Sequence, residues 1–254
     1  MSPVPKITVT IITLNEEGNI SACLESVKWA DEIIVSDSGS IDKTKAICRG
    51  YGAKVFDDSW NGYGKQKNLC ARRAANLWVL NVDADERITP ELKDEIFNAL
   101  SSDSFDGYFI PRKNFFGNTW VKHCGWYPDY NLRLYRTDKG AFSERRVHEA
   151  VIVNGQRAYL KNPLSHHTYK DTEDYLKRME RYSTLSAEEL FNNGKKATIA
   201  DIYLRPAFTF FKMYLLKLGF LDGRTGFLLS RLYARYTFEK YSKLKKLQNT
   251  AHTA

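Results

Sequence analysis

Two aspartates separated by one residue, Asp83 and Asp85, follow an apolar segment that is typical of a buried β-strand. Carboxylate oxygens are hard ligands, and two of them at a strand end suit Mg²⁺ or Mn²⁺ holding a diphosphate. The same spacing also occurs in solvated turns and in helix caps, and a helix is predicted to begin near residue 89. The position directly after a buried strand favours the metal site over these two alternatives.

Two more polar segments, residues 13–17 and 36–42, also follow predicted strands. In parallel α/β sheets, ligands bind outside the carboxyl ends of the strands, where loops and helix N-termini converge. We therefore expect the three segments to form one crevice, although residues 38–40 would also serve as a cap of the next helix. The chain has no G-x-x-x-x-G-K-[ST] loop, and no G-x-G-x-x-G loop follows its first strand, which disfavours P-loop enzymes and dehydrogenases.

The elements that position these segments alternate between strands and helices in the first hundred residues. Runs of β-branched residues predict strands, and apolar residues three or four apart predict helices. The predicted strands cover residues 7–12, 32–35, 53–56 and 77–82, and the predicted helices cover residues 16–29, 43–51 and 64–76. A further helix opens with Thr89 as N-cap and Pro90 in its first turn. This alternation predicts an α/β fold with a parallel sheet that helices cover on both faces.

The character of the chain changes at about residue 106. Residues 106–153 contain short strand-like pieces with many aromatic residues and glycines, which predict a mixed extension of the sheet. Residues 171–193 predict a charged helix, and residues 198–248 predict two helices broken near residues 219–226.

Three segments together resemble the family-2 inverting glycosyltransferases, which have the GT-A fold. They are Ile-Ile-Thr-Leu-Asn-Glu-Glu at 11–17, Ile-Val-Ser-Asp-Ser-Gly-Ser-Ile-Asp-Lys-Thr at 34–44 and Asn-Val-Asp-Ala-Asp-Glu at 81–86. The likeness is greater to small bacterial enzymes of lipopolysaccharide core assembly, which resemble β-1,4-glucosyltransferases acting on the inner-core heptose. It continues through residues 126–129, 133–136, 147–149 and 219–223, and so covers most of the chain.

The resemblance implies a nucleotide-sugar-binding fold, a Rossmann-like mixed sheet flanked by helices, with a helical C-terminal extension. We expect a catalytic domain over residues 1–170, comprising a nucleotide-binding half (1–105) and an acceptor-side half (106–170). The remaining residues, 171–254, would form a helical, basic and aromatic region.

The resemblance also assigns roles in binding the nucleotide. Three side chains are implied to lie against the uridine: Thr13, Asn15 and Glu17. Asp37 would bond the uracil edge, and Ser38 stands where the common family pattern has a second aspartate. Lys67 would lie near the nucleotide. Asp83 would approach the ribose or the metal, and Asp85 would ligate the Mg²⁺ or Mn²⁺ that bridges the diphosphate.

Inverting transfer needs a base that takes the proton of the acceptor hydroxyl. Asp129 is the first choice and Glu149 the second, although an aspartate after Pro128 is also typical of a turn. His148 is a candidate for completing the metal shell, and a structural histidine is the alternative. Three further residues are predicted to contact phosphate or acceptor: Arg145, Arg146 and Trp126. Core packing is the alternative for the tryptophan, and the histidines at 123, 166 and 167 lack zinc spacing and are interpreted as structural.

The C-terminal region carries most of the excess positive charge. The chain of 254 residues has a net charge of +8, and residues 195–254 contain 12 basic and 3 acidic residues. Eleven aromatic residues lie between positions 202 and 241, interleaved with lysines and arginines. This composition is typical of helices lying in a membrane interface, and packing on the catalytic domain or in a homo-oligomer is the alternative. No recognised motif accompanies the charge, so nucleic acid is not expected as a partner.

The sequence therefore predicts a metal-dependent enzyme that transfers a hexose, glucose in the first instance, from a UDP-sugar to the lipopolysaccharide inner core or another lipid-linked acceptor. The four scattered cysteines and the lack of a signal-peptide pattern indicate a cytoplasmic protein. The lipid-anchored acceptor that the resemblance implies, together with the basic and aromatic C-terminal region, would place it as a peripheral protein on the inner face of the cell membrane. The alternatives are a polyprenyl-phosphate glycosyltransferase and a non-catalytic nucleotide-sugar-binding scaffold.

Overall fold

A computed structural model of the chain describes residues 5–102, 104–143 and 149–253. The chain divides into two compact units. The first unit comprises Met1–Arg112 and Asp129–His166, and the second comprises Lys113–Pro128 and His167–Ala254. Residues 113–128 thus group with the C-terminal helices, whereas the domain boundary after residue 170 stays a prediction.

The first part of the chain alternates strands and helices as the residue pattern predicts. The elements are β1 (Ile7–Thr13), α1 (Ile20–Val27), β2 (Glu32–Asp37), α2 (Thr44–Gly50), β3 (Lys54–Asp57), α3 (Tyr63–Arg72), β4 (Trp78–Asn81), β5 (Glu86–Arg87) and α4 (Pro90–Leu100). The Thr89 side chain accepts a hydrogen bond from the backbone N–H of Leu92, which confirms the predicted N-cap of α4. Since Thr89 is that cap, Asp83 and Asp85 are not needed for it.

Short strands dominate the middle of the chain, and helices the end. The strands are β6 (Gly107–Phe116), β7 (Thr119–Trp120), β8 (Asp129–Arg136), β9 (Gly140–Phe142), β10 (Val151–Val153), β11 (Arg157–Tyr159) and β12 (Leu164–Tyr169). The helices are α5 (Thr172–Asn192), α6 (Ile199–Phe211), a π-helical turn (Lys212–Leu216), a 3₁₀ turn (Gly219–Asp222) and α7 (Gly223–Thr253).

The main sheet is mixed, with strand order β3-β2-β1-β4-β8-β6-β12-β5. Strands β3, β2, β1 and β4 are parallel, and β8 then pairs antiparallel with both β4 and β6. Strand β1 is almost fully buried, as expected for a parallel strand that helices cover on both faces. These observations confirm the predicted α/β fold with a mixed extension of the sheet.

The core of the first unit is built by alternate residues of the central strands and by the inner faces of the helices. In β1, Ile7, Val9 and Ile11 are fully buried, and α1 buries Ile20 and Leu24 in the same core. The carboxyl ends of β1, β2 and β4 emerge from this rigid core, so that the polar residues following them have fixed positions.

The second unit has its own core, which α5 and α7 share with residues 113–128. Trp126 is buried there, with its ring near those of Tyr169 and Tyr233. The predicted break between the last two helices is confirmed, since Leu218 and Gly223 both have positive φ. A Cβ on Gly226 would lie 1.8 Å from the carbonyl oxygen of Gly219, so only glycine fits at this close approach. Among the described residues, no helix has both the length and the apolar character required to cross a bilayer.

Candidate active site

The carboxyl ends of β2, β1 and β4 lie side by side in the sheet. Thr13 at the end of β1 is in register with Asp37 at the end of β2, and the backbone N–H of Val82 donates to the carbonyl of Thr10. The parallel arrangement therefore brings the three predicted polar segments to one edge of the first unit, as the sequence indicated.

Asp37 is fully buried and organises the loop after β2. Its Oδ1 accepts hydrogen bonds from the backbone N–H groups of Gly39, at 3.1 Å, and Ser40, at 2.7 Å. Its Oδ2 accepts from the hydroxyls of Thr13, at 2.9 Å, and Ser40. Both carboxylate oxygens thus bond the chain itself, and the implied contact of Asp37 with a uracil edge stays a prediction.

Asn15 and Glu17 connect the loop after β1 to the loop after β2. The Asn15 side-chain oxygen accepts from the backbone N–H of Ile41 at 2.9 Å, and Glu17 accepts from that of Lys43 at 3.0 Å. Asn15 has a φ of 54°, a conformation that asparagine adopts more readily than most residues. The two predicted uridine contacts therefore also fix the shape of the loops that carry them.

Lys67 is a buried lysine on α3, and the helix is held in place by its neighbour Asn68. The Asn68 amide donates to the carbonyl of Phe142 at 2.9 Å and accepts from the Phe142 N–H at 2.8 Å, so α3 is bonded to β9. The Lys67 ammonium lies 3.0 Å from Asp83 Oδ1 and 3.6 Å from Glu149 Oε1. The structure thus brings two predicted site residues, Asp83 and Glu149, to the ammonium group of a third, Lys67.

Asp83 accepts a second cation on its other oxygen. Arg133 Nη2 donates to Asp83 Oδ2 at 2.7 Å. Burial acts to raise the pKa of the Asp83 carboxyl, but the charges of Arg133 and Lys67 outweigh it and hold that pKa far below its usual range. The two neighbouring cations therefore favour the carboxylate form of Asp83.

Arg133 lies on β8 and is almost fully buried. Besides Asp83, it donates to the side-chain oxygen of Asn81 at 3.0 Å and to Glu86 Oε1 at 2.6 Å. Burial acts to lower the pKa of Arg133, and the carboxylates of Asp83 and Glu86 raise it well above its usual value. Its Nε is buried and has no hydrogen-bond partner in the part of the chain that the structure describes.

Glu86 continues the network toward Asp129. It is fully buried and accepts from the backbone N–H of Asp83 at 2.9 Å, and Arg112 Nη1 lies 3.7 Å from its Oε1. Arg112 donates twice to Asp129 Oδ2, at 2.6 and 2.9 Å, and Asn131 donates to Asp129 Oδ1 at 3.0 Å. The predicted base is therefore held in one orientation by two neighbours.

Seven charged side chains of the first unit form a continuous sequence of alternating sign, which we term the charged row. In spatial order they are Glu149, Lys67, Asp83, Arg133, Glu86, Arg112 and Asp129. The two predicted bases stand at opposite ends of the charged row, and the predicted ribose or metal contact stands near its middle.

Asp85 is separate from the charged row and has an imidazole beside it. His166 Nε2 lies 3.4 Å from Asp85 Oδ2, and both side chains are partly exposed. Mg²⁺ and Mn²⁺ sites of nucleotide enzymes use one or two protein carboxylates, with waters and substrate phosphates as the other ligands. This donor set fits such an ion. Among the described residues, no group of three or more His, Cys, Asp or Glu side chains is arranged to hold a metal by itself.

Other predicted site residues lie elsewhere. Arg145, Arg146 and His148 lie outside the described residues, and their assigned roles stay predictions. Trp126 lies in the core of the second unit, which is the packing role weighed for it above. His123 also belongs to the second unit, where its Nδ1 lies 3.0 Å from Asp222 Oδ1.

Sequence reasoning missed four residues of this site: Arg112, Arg133, His166 and Glu86, which appeared there only as the last residue of the segment 81–86. His166 was interpreted as structural, and the two arginines were not assigned roles. The available signal was an arginine or histidine within a strand-like, otherwise apolar segment, because a buried charge there requires partners. The partners themselves depend on the antiparallel pairing of β8 with β4 and β6 and of β12 with β5.

The chain is similar to known glycosyltransferases. A family model described as glycosyl transferase family 2 matches residues 8–167. An uncharacterized glycosyltransferase of Rickettsia bellii (strain RML369-C) is 33% identical over 258 residues, which cover 95% of this chain and 87% of that protein. The lipopolysaccharide core biosynthesis glycosyltransferase LpsC of Rhizobium meliloti (strain 1021) is 28% identical over 256 residues, which cover 95% of this chain and 93% of that protein. The crystal structure of S. aureus TarS 1–349 in complex with UDP is a more distant likeness, with 18% identity, a TM-score of 0.49 and coverage of 98% of this chain and 91% of that one.

Proposed function

Because the chain belongs to glycosyl transferase family 2, we propose that it transfers a hexose with inversion from a UDP-sugar, UDP-glucose in the first instance, to the lipopolysaccharide core. The relative named for lipopolysaccharide core biosynthesis, similar along almost the whole chain, supports this class of acceptor. The observation that carries the proposal is the charged row. Buried ion pairs are costly to desolvate, and strongly perturbed ionisable groups concentrate at functional sites.

The donor binds at the strand ends of the first unit. The loops that Asn15, Glu17 and Asp37 organise contact the uridine, and Asp83, held as a carboxylate by Lys67 and Arg133, accepts hydrogen bonds from the ribose. A carboxylate fixed by two cations does not need to reorganise when the sugar hydroxyls arrive, so it binds the donor in one orientation.

Mg²⁺ or Mn²⁺ would be held by Asp85, with His166 orienting the carboxylate or supplying a second ligand. When bound, the ion neutralises charge on the departing diphosphate. The charged row contains four carboxylates and three cationic side chains, so its net charge is negative. It does not itself supply the positive charge that a diphosphate requires. This balance supports the proposed need for a cation.

Asp129 acts as the base. Arg112 and Asn131 fix its carboxylate, so it presents an oxygen in a defined direction to the acceptor hydroxyl. The hydroxyl proton passes to Asp129, the hydroxyl oxygen bonds the anomeric carbon, and the bond between that carbon and the diphosphate breaks, which releases UDP. Glu149, beside Lys67 at the other end of the charged row, is the second candidate for this role.

Asp129→Asn tests the assignment in a transfer assay with UDP-glucose, Mn²⁺ and purified core oligosaccharide. Loss of a general base typically costs 10²–10⁴-fold in rate, so we expect a kcat at least about 100-fold lower with UDP binding unchanged. Asp138→Asn is the matched control, because Asp138 pairs with Arg136 at the surface. Glu149→Gln tests the second candidate.

Three outcomes contradict parts of the proposal. If Asp129→Asn retained full turnover and Glu149→Gln lost it, Glu149 and not Asp129 would be the base. Turnover on a polyprenyl phosphate but on no core oligosaccharide would replace the acceptor. UDP binding without sugar transfer, across a panel of donors and acceptors, would indicate a non-catalytic nucleotide-sugar-binding protein.

A further inference from the structure

Helix α6 of the second unit presents an apolar face to solvent. None of its residues is buried, although its composition is strongly apolar. Its exposed apolar side chains recur at the three- and four-residue spacing of one helical face: Ile199, Ala200, Tyr203, Leu204, Ala207, Phe208 and Phe211. Ile199 is 72% exposed, Leu204 68% and Phe208 59%. We term these seven side chains the outer face of α6.

The exposed apolar surface continues past the end of α6. The turns that follow expose Leu215, Leu216, Leu218, Phe220 and Leu221. A contiguous apolar patch of this kind on a protein surface marks an interaction site, whereas single exposed apolar residues are ordinary. The opposite side of α6 is already used, since Thr209 bonds Thr237 of α7 and Phe210 packs edge-on against Phe227.

The charges around this surface are almost entirely positive. Lys212, Lys217 and Arg224 are exposed along it. The two acidic residues of the same stretch already have partners: Asp201 pairs with Arg205, and the Asp222 side chain is 5% exposed and accepts from the backbone N–H of His123. The apolar surface is therefore bordered by cations without free carboxylates among the described residues of this stretch.

A cleft of about 410 Å³ between α6 and α7 adjoins the outer face. It is lined by Leu204, Phe208, Thr209, Arg205, Lys240 and Tyr241, among others. Arg205 lies 5.0 Å and Lys240 5.1 Å from the centre of the Tyr241 ring, so two cations converge on one side chain. Burial, with a smaller contribution from Arg205, lowers the pKa of Lys240, and an anion between the two cations would relieve this cost.

We propose that the outer face of α6 and the turns after it lie in the interface of an anionic phospholipid bilayer, with a lipid phosphate in the cleft between Arg205 and Lys240. Apolar side chains bordered by lysine and arginine are the pattern of interfacial helices. A second copy of the chain is a poorer occupant, because two such faces in contact would bring Lys212, Lys217 and Arg224 of both copies together. This inference goes beyond the proposed function, since it needs neither donor nor acceptor.

The test is co-sedimentation of the full chain with vesicles of phosphatidylcholine, with and without phosphatidylglycerol. We expect binding to the anionic vesicles, weakened by raised salt, and little binding to pure phosphatidylcholine. Leu204→Gln combined with Phe208→Gln should weaken binding at least about tenfold, because both lose apolar area that enters the bilayer. The matched control is Ile152→Gln with Leu185→Gln, since these are exposed apolar residues that belong neither to α6 nor to the turns after it.

The cleft has its own pair of variants. Arg205→Gln combined with Lys240→Gln should weaken binding to the anionic vesicles about 25-fold, from about fivefold per basic residue near an anionic leaflet. Lys28→Gln with Lys177→Gln is the control of equal charge, because both lysines are exposed and already paired with neighbouring glutamates. Inorganic phosphate added at constant ionic strength should leave the unmodified chain bound to the vesicles, because the phosphate in the cleft belongs to a lipid.

Several results would overturn the inference. One is equal vesicle binding by the α6 double variant and its control, with circular dichroism showing both folded. Another is a salt-insensitive dimer in sedimentation velocity that the α6 variant abolishes, without vesicle binding by the unmodified chain. Because vesicle binding is measured without substrates, failure of this inference is distinguishable from failure of the proposed glycosyl transfer.

Discussion

Replacing Arg133 with methionine would remove the guanidinium that bonds both the partly exposed carboxylate of Asp83 and the fully buried carboxylate of Glu86. Lys67 still neutralises Asp83 on one side, whereas the cation left beside Glu86 among the described residues is Arg112, at 3.7 Å. Removing one partner of a buried ion pair costs about 3–5 kcal/mol. Against a total stability of about 5–15 kcal/mol, that loss is large enough to read directly from a urea unfolding curve.

A second substitution separates charge from packing. Arg133→Met combined with Glu86→Gln removes one positive and one negative charge, so fewer uncompensated carboxylates remain in the core. We expect the double variant to recover at least about half of the lost stability, since much of the cost is the unpaired charge. Transfer activity should stay low in both variants because Asp83 has lost its second anchor in each.

The pH dependence of stability provides an independent readout. The folded-state pKa of Asp83 lies far below the usual value of about 4, so the stability it contributes is fully present above pH about 4 and is lost as the pH falls below it. Without Arg133 that pKa rises, and less stability is lost between pH 7 and pH 3. The role given to the charged row would be refuted if the free energy of unfolding of Arg133→Met lay within about 1 kcal/mol of that of the unmodified chain and changed with pH in the same way.

Two further predictions concern the metal and the second unit. In a paramagnetic-resonance titration with UDP present, Asp85→Asn should weaken Mn²⁺ binding at least about tenfold, and His166→Gln should weaken it less. Unchanged Mn²⁺ binding in both variants would contradict a metal site at Asp85. Gly226→Ala should destabilise the protein by about 1–3 kcal/mol in urea, because its Cβ would meet the Gly219 carbonyl. Gly50→Ala, with open space around its Cβ, is the control, and equal effects would contradict the packing argument.

The strands and their polar ends were predictable because their signals are local. β1, β2 and β4 are short apolar runs, and Thr89 with Pro90 marks the start of α4 without reference to the rest of the chain. Helix α1 is shorter than predicted, beginning at Ile20 rather than near residue 16. The backbone N–H of Glu16 donates to the Thr44 hydroxyl at the start of α2, and the Glu16 carbonyl accepts from the N–H groups of Asn19 and Ile20, so residues 16–19 form a turn before the helix.

The site was predictable only where its residues follow a strand of the first half. Asp83 and Asp85 were found from their position, whereas Arg112 reaches Asp129 because the two are in register between β6 and β8. His166 reaches Asp85 beside the antiparallel pairing of β12 with β5. Such pairings join residues far apart in sequence, so a single sequence contains no local pattern that predicts them.

The charged row also restricts how this protein can change over generations. Because each charge is compensated by the next, a substitution that removes one charge alters the environment of both Asp83, the proposed donor contact, and Asp129, the proposed base. Single replacements along the charged row should therefore have effects that do not add, and variants that persist should arise as charge-matched pairs. Under the proposed function, selectivity for a new sugar or a new acceptor is accordingly more accessible through the loops after β1 and β2 than through the charged row.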